Sequence, residues 1–184
     1  LRKIPTVFSE LMLLEPKVWM DARGSFQEAF NQRVYADFLG DDVLFLQDNL
    51  SHSQRGVLRG LHYQVAPCAQ GKLIYVIQGE IWDVVVDIRK SSPNFGKWTS
   101  HQLSAKNAQQ LWIPPGFAHG FLVLSATADV MYKTTAYYAP QSDRGIAWND
   151  ADIGIQWPDL GVDFLLSDKD QKQPAFKDAQ VFAA

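Results

Sequence analysis

Apolar and polar residues alternate with a period of two along much of the chain, which is the signature of strands with one covered face. Residues 43–49 run apolar and end in Gln47-Asp48-Asn49. Residues 56–63, 72–77, 110–113, 120–124 and 129–135 are further predicted strands, rich in β-branched and aromatic side chains. Gln78-Gly79-Glu80 reads as a short turn into a strand over 81–88. On that strand Trp82, Val84, Val86 and Ile88 share one face, while Asp83 and Asp87 fall on the other, so one face is expected to be drier. One helix is predicted. Asn31 caps it, Val34 and Phe38 with Tyr35 form its apolar side, and Gly40 ends it. The segment after Val162 has weak periodicity, and Ser167-Asp168-Lys169-Asp170 reads as too polar for a core. Many short strands with Gly/Pro turns and few helices predict a sandwich or barrel.

Composition narrows the class. The 184 residues carry 47% apolar and 20% charged side chains, the balance of a packed globular chain. A single domain over residues 1–184 is expected, burying roughly 70% of its unfolded surface. The one cysteine, Cys68, excludes an internal disulfide and a Cys-rich zinc site. A net charge of −3 gives no support to nucleic-acid binding. No apolar run approaches the roughly 18 residues of a membrane span, and the first residues lack the apolar core of a signal peptide. A soluble cytoplasmic protein is the expectation.

Chemistry is sought first among the four histidines, His52, His62, His101 and His119. His62 lies on a predicted strand close to Arg59 and ten residues before Lys72. His119 follows the stiff turn Pro114-Pro115-Gly116. A strand histidine is ordinarily satisfied by a backbone carbonyl, but a dry core does not collect Arg59 and Lys72 without a partner. Tyr63 and Gln64 follow His62, so no second imidazole lies two residues on, and a three-ligand metal site is not expected. Arg23, Arg59 and Lys72 suit phosphate oxygens, although surface charge is the usual fate of an arginine. Tyr132 shares a strand face with Val130 and Thr134, as a core or cross-strand aromatic does. From spacing alone Asp170 is a charged residue of the tail.

Taken in order, these segments resemble the dTDP-4-dehydrorhamnose 3,5-epimerase family. The stretches that carry the resemblance include Asp21-Ala22-Arg23-Gly24-Ser25-Phe26-Gln27-Glu28, Gln47-Asp48-Asn49 and Gly56-Val57-Leu58-Arg59-Gly60-Leu61-His62-Tyr63-Gln64. Gln70-Gly71-Lys72-Leu73 and Trp112-Ile113-Pro114-Pro115-Gly116-Phe117-Ala118-His119-Gly120-Phe121 follow. Tyr132-Lys133-Thr134-Thr135 and Leu166-Ser167-Asp168-Lys169-Asp170 complete them. The resemblance implies a mainly β, cupin-like double-stranded β-helix (jelly roll) with a few short helices. It also implies a homodimer and neither metal nor cofactor.

The implied reaction inverts C3 and C5 of a 4-keto-6-deoxyhexose carried on dTDP. Both carbons flank the C4 ketone, so both C–H bonds ionise to an enolate. A base, an acid on the opposite face and a cation near the ketone oxygen are then required. By position, His62 resembles the base and Asp170 the carboxylate that accepts its Nδ1 hydrogen. Tyr132 resembles the acid, and Lys72 the enolate stabiliser. Histidine as a residue type titrates near ~6.5 and tyrosine near ~10, which suits those two roles at neutral pH. Arg23 and Arg59 resemble diphosphate contacts. Glu28, Gln47 and Asn49 resemble nucleotide and sugar contacts, and Phe26 a stacking partner for thymine. His119 and Lys169 match positions near the substrate. Asp143 stands where the family usually carries Glu, one methylene longer, which makes a sugar contact there less secure.

Strict alternation would set Arg59 and His62 on opposite faces, so a bulge or twist is predicted at Gly60. Three alternatives stay open at this point. One is a single-position 3- or 5-epimerase, or a 3,4-ketoisomerase, on the same fold. The others are a non-catalytic sugar-nucleotide binding module and a metal-dependent cupin.

Overall fold

In the computed structural model, which describes residues 1–183, the chain forms thirteen strands and two short α-helices. The strands are β1 (Arg2–Ile4), β2 (Met12–Glu15), β3 (Val18–Asp21), β4 (Gly24–Gln27), β5 (Gln47–Gln54), β6 (Leu58–Gln64) and β7 (Lys72–Gln78). They continue with β8 (Glu80–Asp87), β9 (Trp98–Ser104), β10 (Gln110–Ile113), β11 (Phe117–Val123), β12 (Thr127–Thr134) and β13 (Asp143–Gly145). Helix α1 covers Gln32–Leu39 and α2 covers Asp168–Gln171. Among the described residues no helix is long and apolar enough to cross a membrane.

Two antiparallel sheets face each other as a jelly-roll sandwich. One runs β1-β2-β10-β7-β12-β5 and the other β13-β6-β11-β8-β9, while β3 and β4 form a separate hairpin. Between the sheets lie Leu13, Ile74, Val76, Ile81, Val85, Leu111, Phe117, Phe121 and Val130, all buried. Burying each such side chain stabilises the fold by about 1.5–3 kcal/mol. The expected turn at Gly79 is present, but it joins strands of different sheets rather than closing a hairpin. Gly79 has φ +81°, and a Cβ there would meet the Thr127 carbonyl oxygen at 2.1 Å.

The outer faces are covered as well. Helix α1 starts at Asn31, whose side chain accepts from the Arg33 amide, and ends at Gly40. It packs Tyr35, Val34 and Phe38 with Phe45 and Trp112 against the outside of the larger sheet. The chain after Gly145 wraps the outside of the smaller sheet, placing Ile146, Ile153, Trp157 and Phe182 over Leu61, Val84 and Val86.

This double cover corrects the reading of β8. Asp83 and Asp87 are fully buried, like Val84, Val86 and Ile88, while Trp82 is only partly covered. The aspartates tolerate burial because each is paired, Asp83 with His119 and Asp87 with Arg89. A second correction concerns residues 43–46, which are not strand. Phe45 and Val43 pack on the α1 cluster, and pairing begins at Gln47. A third concerns the tail. Ser167 caps α2, and Asp170 on that helix is buried.

The bulge expected at Gly60 is present. His62 pairs with His119 and Arg59 with Phe121, so Gly60 and Leu61 together oppose Gly120. Gly60 has φ +123°, and a Cβ there would meet the Gly120 Cα at 2.6 Å. The extra residue turns Arg59 and His62 toward the same side, between the sheets.

Candidate active site

At one end of the sandwich the inward faces turn from apolar to polar around a cavity of about 430 Å³. The larger sheet supplies Gln47, Asn49 and Ser51 from β5, Lys72 from β7 and Tyr132 from β12. The smaller sheet supplies Arg59 and His62 from β6, His119 from β11 and Asp143 from β13. The α2 segment closes one side with Ser167, Lys169 and Asp170. Ten of the residues singled out from the sequence therefore meet in one pocket.

His62 is held by Asp170. Its Nε2 lies 2.5 Å from Asp170 Oδ1, and the other carboxylate oxygen accepts from the Ser167 hydroxyl at 2.9 Å. The expected contact through Nδ1 is thus corrected. The ring reaches from β6 toward α2, so its tip nitrogen meets the carboxylate. Burial pushes the Asp170 carboxyl up, but hydrogen bonds and charge from His62, with the Ser167 bond, hold it below the ordinary value. A carboxylate that stays ionised is suited to orienting an imidazole and stabilising its protonated form.

Tyr132 stands on the opposing sheet, paired across strands with Asn49 and Ile74. Burial raises its phenol above the ordinary value, with Arg59 pulling it back and Asp143 adding to the rise. The hydroxyl therefore holds its proton at neutral pH and can donate it. Lys72 donates to the His62 carbonyl at 3.3 Å. Burial pulls its ammonium down to about 8, against the opposing pull of Asp143 and Asp83. His119 Nε2 lies 2.7 Å from Asp83 Oδ2, and burial lowers its pKa against the opposing influence of Asp83.

The remaining walls are polar and held in place. The Gln47 side chain donates to Asn49 at 2.8 Å and accepts from the Tyr138 amide at 2.9 Å. Arg59, which lines the pocket, is braced through Nε and Nη2 on the Ser53 hydroxyl at 3.1–3.2 Å. Asp143 accepts from the Tyr138 hydroxyl at 3.1 Å and from Lys169. Its carboxylate thus spans the pocket mouth between two side chains that the sequence reading did not join. The sequence gives no site role to Tyr138 or Ser51, and reads Asp83 only as a polar residue of its strand. Tyr138 sits in a loop with no periodic signal, and Asp83 is recognisable only once β11 lies beside β8. Among the described residues no three His, Cys, Asp or Glu side chains gather as a metal-binding set.

Arg23, Phe26 and Glu28 lie outside this pocket. Arg23 and Phe26 sit on the β3–β4 hairpin, where Arg23 pairs with Asp21 at 2.6 Å. Phe26 lies against Trp19 with ring centroids 5.9 Å apart. Glu28, exposed just beyond β4, accepts from Asn31. These three positions do not join the site within one chain, because the hairpin belongs to neither large sheet.

A cupin-like jelly roll with a carboxylate-held imidazole on one sheet and a protonated phenol on the other defines a class of acid–base isomerase. The family profile of dTDP-4-dehydrorhamnose 3,5-epimerase matches residues 5–178. The chain belongs to that family, and it is an epimerase acting on a dTDP-linked sugar. The dTDP-4-dehydrorhamnose 3,5-epimerase of Shigella flexneri is 54% identical over 179 residues, covering 97% of this chain and 98% of its own. A solved 3,5-epimerase from Legionella pneumophila Philadelphia 1, in complex with dTDP-4-keto-L-rhamnose, superposes with a TM-score of 0.95 at 47% identity. That match covers 100% of this chain and 98% of the other. A 3'-monoepimerase from Streptomyces bikiniensis in complex with dTDP-quinovose gives 0.89 at 34% identity, covering 94% of this chain and 87% of its own.

Proposed function

We propose that this chain converts dTDP-4-keto-6-deoxy-D-glucose to dTDP-4-keto-L-rhamnose, with His62 as base and Tyr132 as acid. The observation that carries the residue roles is the placement of these two groups on opposing sheets across one pocket. An inversion needs a proton removed from one face and returned on the other. Asp170 orients His62. Lys72 offers positive charge where the C4 oxygen of an enolate develops. In this reading Arg59 meets the diphosphate, Gln47 and Asn49 meet the nucleotide and sugar, Asp143 meets the sugar, and His119 and Lys169 stand near the substrate.

The test is proton NMR of the full chain with the 4-keto sugar nucleotide in D₂O. Loss of both the C3 and C5 signals is expected. Loss at one carbon alone would assign the chain to single-position epimerisation, the activity named for the Streptomyces relative. No loss, in protein that binds dTDP, would overturn the catalytic reading.

Lys72 sets the expected alkaline limb. Its ammonium carries the charge below about 8 and loses it as the pH rises through that value. The kcat is therefore expected to fall about tenfold per pH unit above that point. In Lys72→Met the limb should vanish together with most of the rate. A wild-type profile flat to pH 10 would remove the charged lysine from the mechanism.

The working unit in this reading is a homodimer. The β3–β4 hairpin exposes Trp19, Met20 and Phe26, and β5 is an unpaired edge that itself lines the pocket. A hairpin laid on a second copy would cover these apolar groups and bring Arg23, Phe26 and Glu28 to the substrate. Sedimentation at twice the 20.7 kDa chain mass is expected. A monomer at enzyme-assay concentration would overturn it. We read residues 1–184 as one cupin-like domain acting in the cytoplasm. The family match over nearly the whole chain supports the first, and the free Cys68 suits a reducing compartment.

A further inference from the structure

Behind the pocket, one buried carboxylate faces two histidines. Asp83 Oδ2 is taken by His119, but its other oxygen, Oδ1, is buried with no hydrogen-bond partner. On β9, His101 is the cross-strand partner of Asp83, and its Nε2 is likewise buried and unpartnered. Directly paired residues on neighbouring strands project to the same face, about 5 Å apart. A buried carboxylate oxygen and a buried imidazole nitrogen, both unpaired, thus belong to directly opposed residues between the sheets, and leaving both unmet is costly.

We propose that His101 is a positioning residue: a turn of its ring, which makes no such contact in the structure, lets Nε2–H bond Asp83 Oδ1, and the resulting His101–Asp83–His119 row holds His119 in its Asp83-bonded form at the pocket wall. This deepens the epimerase reading and rests on it for its catalytic meaning. The row starts at the partly exposed edge strand β9, crosses β8 and ends on β11, which lines the cavity. The titratable groups that face it are Asp83 from β8, His119 from β11, Lys72 from β7 and His62 from β6. A hydrogen bond from neutral His101 draws charge from Asp83, so Asp83 binds a protonated His119 less strongly. His119 then stays neutral to lower pH beside the charged Lys72.

The experiment is histidine ¹⁵N and ¹H NMR titration of the full chain, of His101→Leu and of His101→Gln. With four histidines the spectra are assignable. Wild type should show a proton on His101 Nε2 at pH 7. In His101→Leu the His119 midpoint should rise by about half a pH unit or more, and His101→Gln, which keeps a donor at the same reach, should restore it. An unprotonated His101 Nε2, or a His119 midpoint equal in all three proteins, would overturn the proposal. The NMR readout needs no turnover, so failure of the proposal is distinguishable from failure of the epimerase reading.

Discussion

His62→Ala is expected to abolish exchange of both the C3 and C5 protons with D₂O while leaving dTDP binding intact. The imidazole projects from the bulged β6 into the pocket lining, with Asp170 on its Nε2. Removing a general base typically costs ~10²–10⁴-fold, or about 3–5 kcal/mol of barrier. The upper end is expected, since one imidazole serves two carbons in succession and loss at either stops the reaction. Fold stability should change little. His62 is partly exposed and belongs to none of the apolar clusters. Persistence of exchange at one carbon would show that a second base serves that position, and His119, the direct cross-strand partner of His62, would be the group to remove next.

Tyr132→Phe should separate the two halves of the inversion. Only the hydroxyl is lost, so the ring still packs against the inter-sheet core and the pocket keeps its shape. His62 can still remove the proton and, after exchange with solvent, return a deuteron to the same face. Washout with retention of configuration should therefore continue, while formation of the inverted sugar falls by ~10²–10⁴-fold. Inversion at the wild-type rate would show that water or another side chain delivers the proton. Loss of washout as well would show that Tyr132 acts before proton return, in binding or in enolate formation. The raised phenol makes the first outcome the expected one, because the hydroxyl stays protonated over the whole working range.

The pairing of these two residues across the pocket was legible from the sequence only through resemblance. Periodicity places His62 and Tyr132 on strands, but it does not say that the strands belong to opposing sheets. Asp170 shows the limit most sharply. A short polar stretch carries no periodic signal, and its burial depends on a capped single turn of helix docking against β6. The strands β6, β7, β8, β11 and β12 were readable because each carries a run of apolar, largely β-branched and aromatic side chains, on whichever face these lie. Strand β5 was placed too early because its own inward residues, Gln47, Asn49 and Ser51, face the pocket and are polar. Edge and hairpin strands such as β9, β3 and β4 went unread because partial exposure permits polar residues on both faces.

By itself the sequence determined the β-rich architecture and the one long-enough helix with its caps, and the roles that the resemblance implies for Arg59 and His62 added the bulge at Gly60. These follow from short-range rules: a two-residue side-chain period, the capping of free amides and the steric freedom of glycine. Tertiary structure alone decided that Asp83 and Asp87 are buried rather than facing water. It also decided which imidazole nitrogen meets Asp170, and that Arg23, Phe26 and Glu28 stand away from the pocket of their own chain. The physical reason is common to all of these. Burial, hydrogen-bond partners and charge environment are properties of what packs against a residue, and for Asp83 and His62 that neighbour comes from a distant part of the chain.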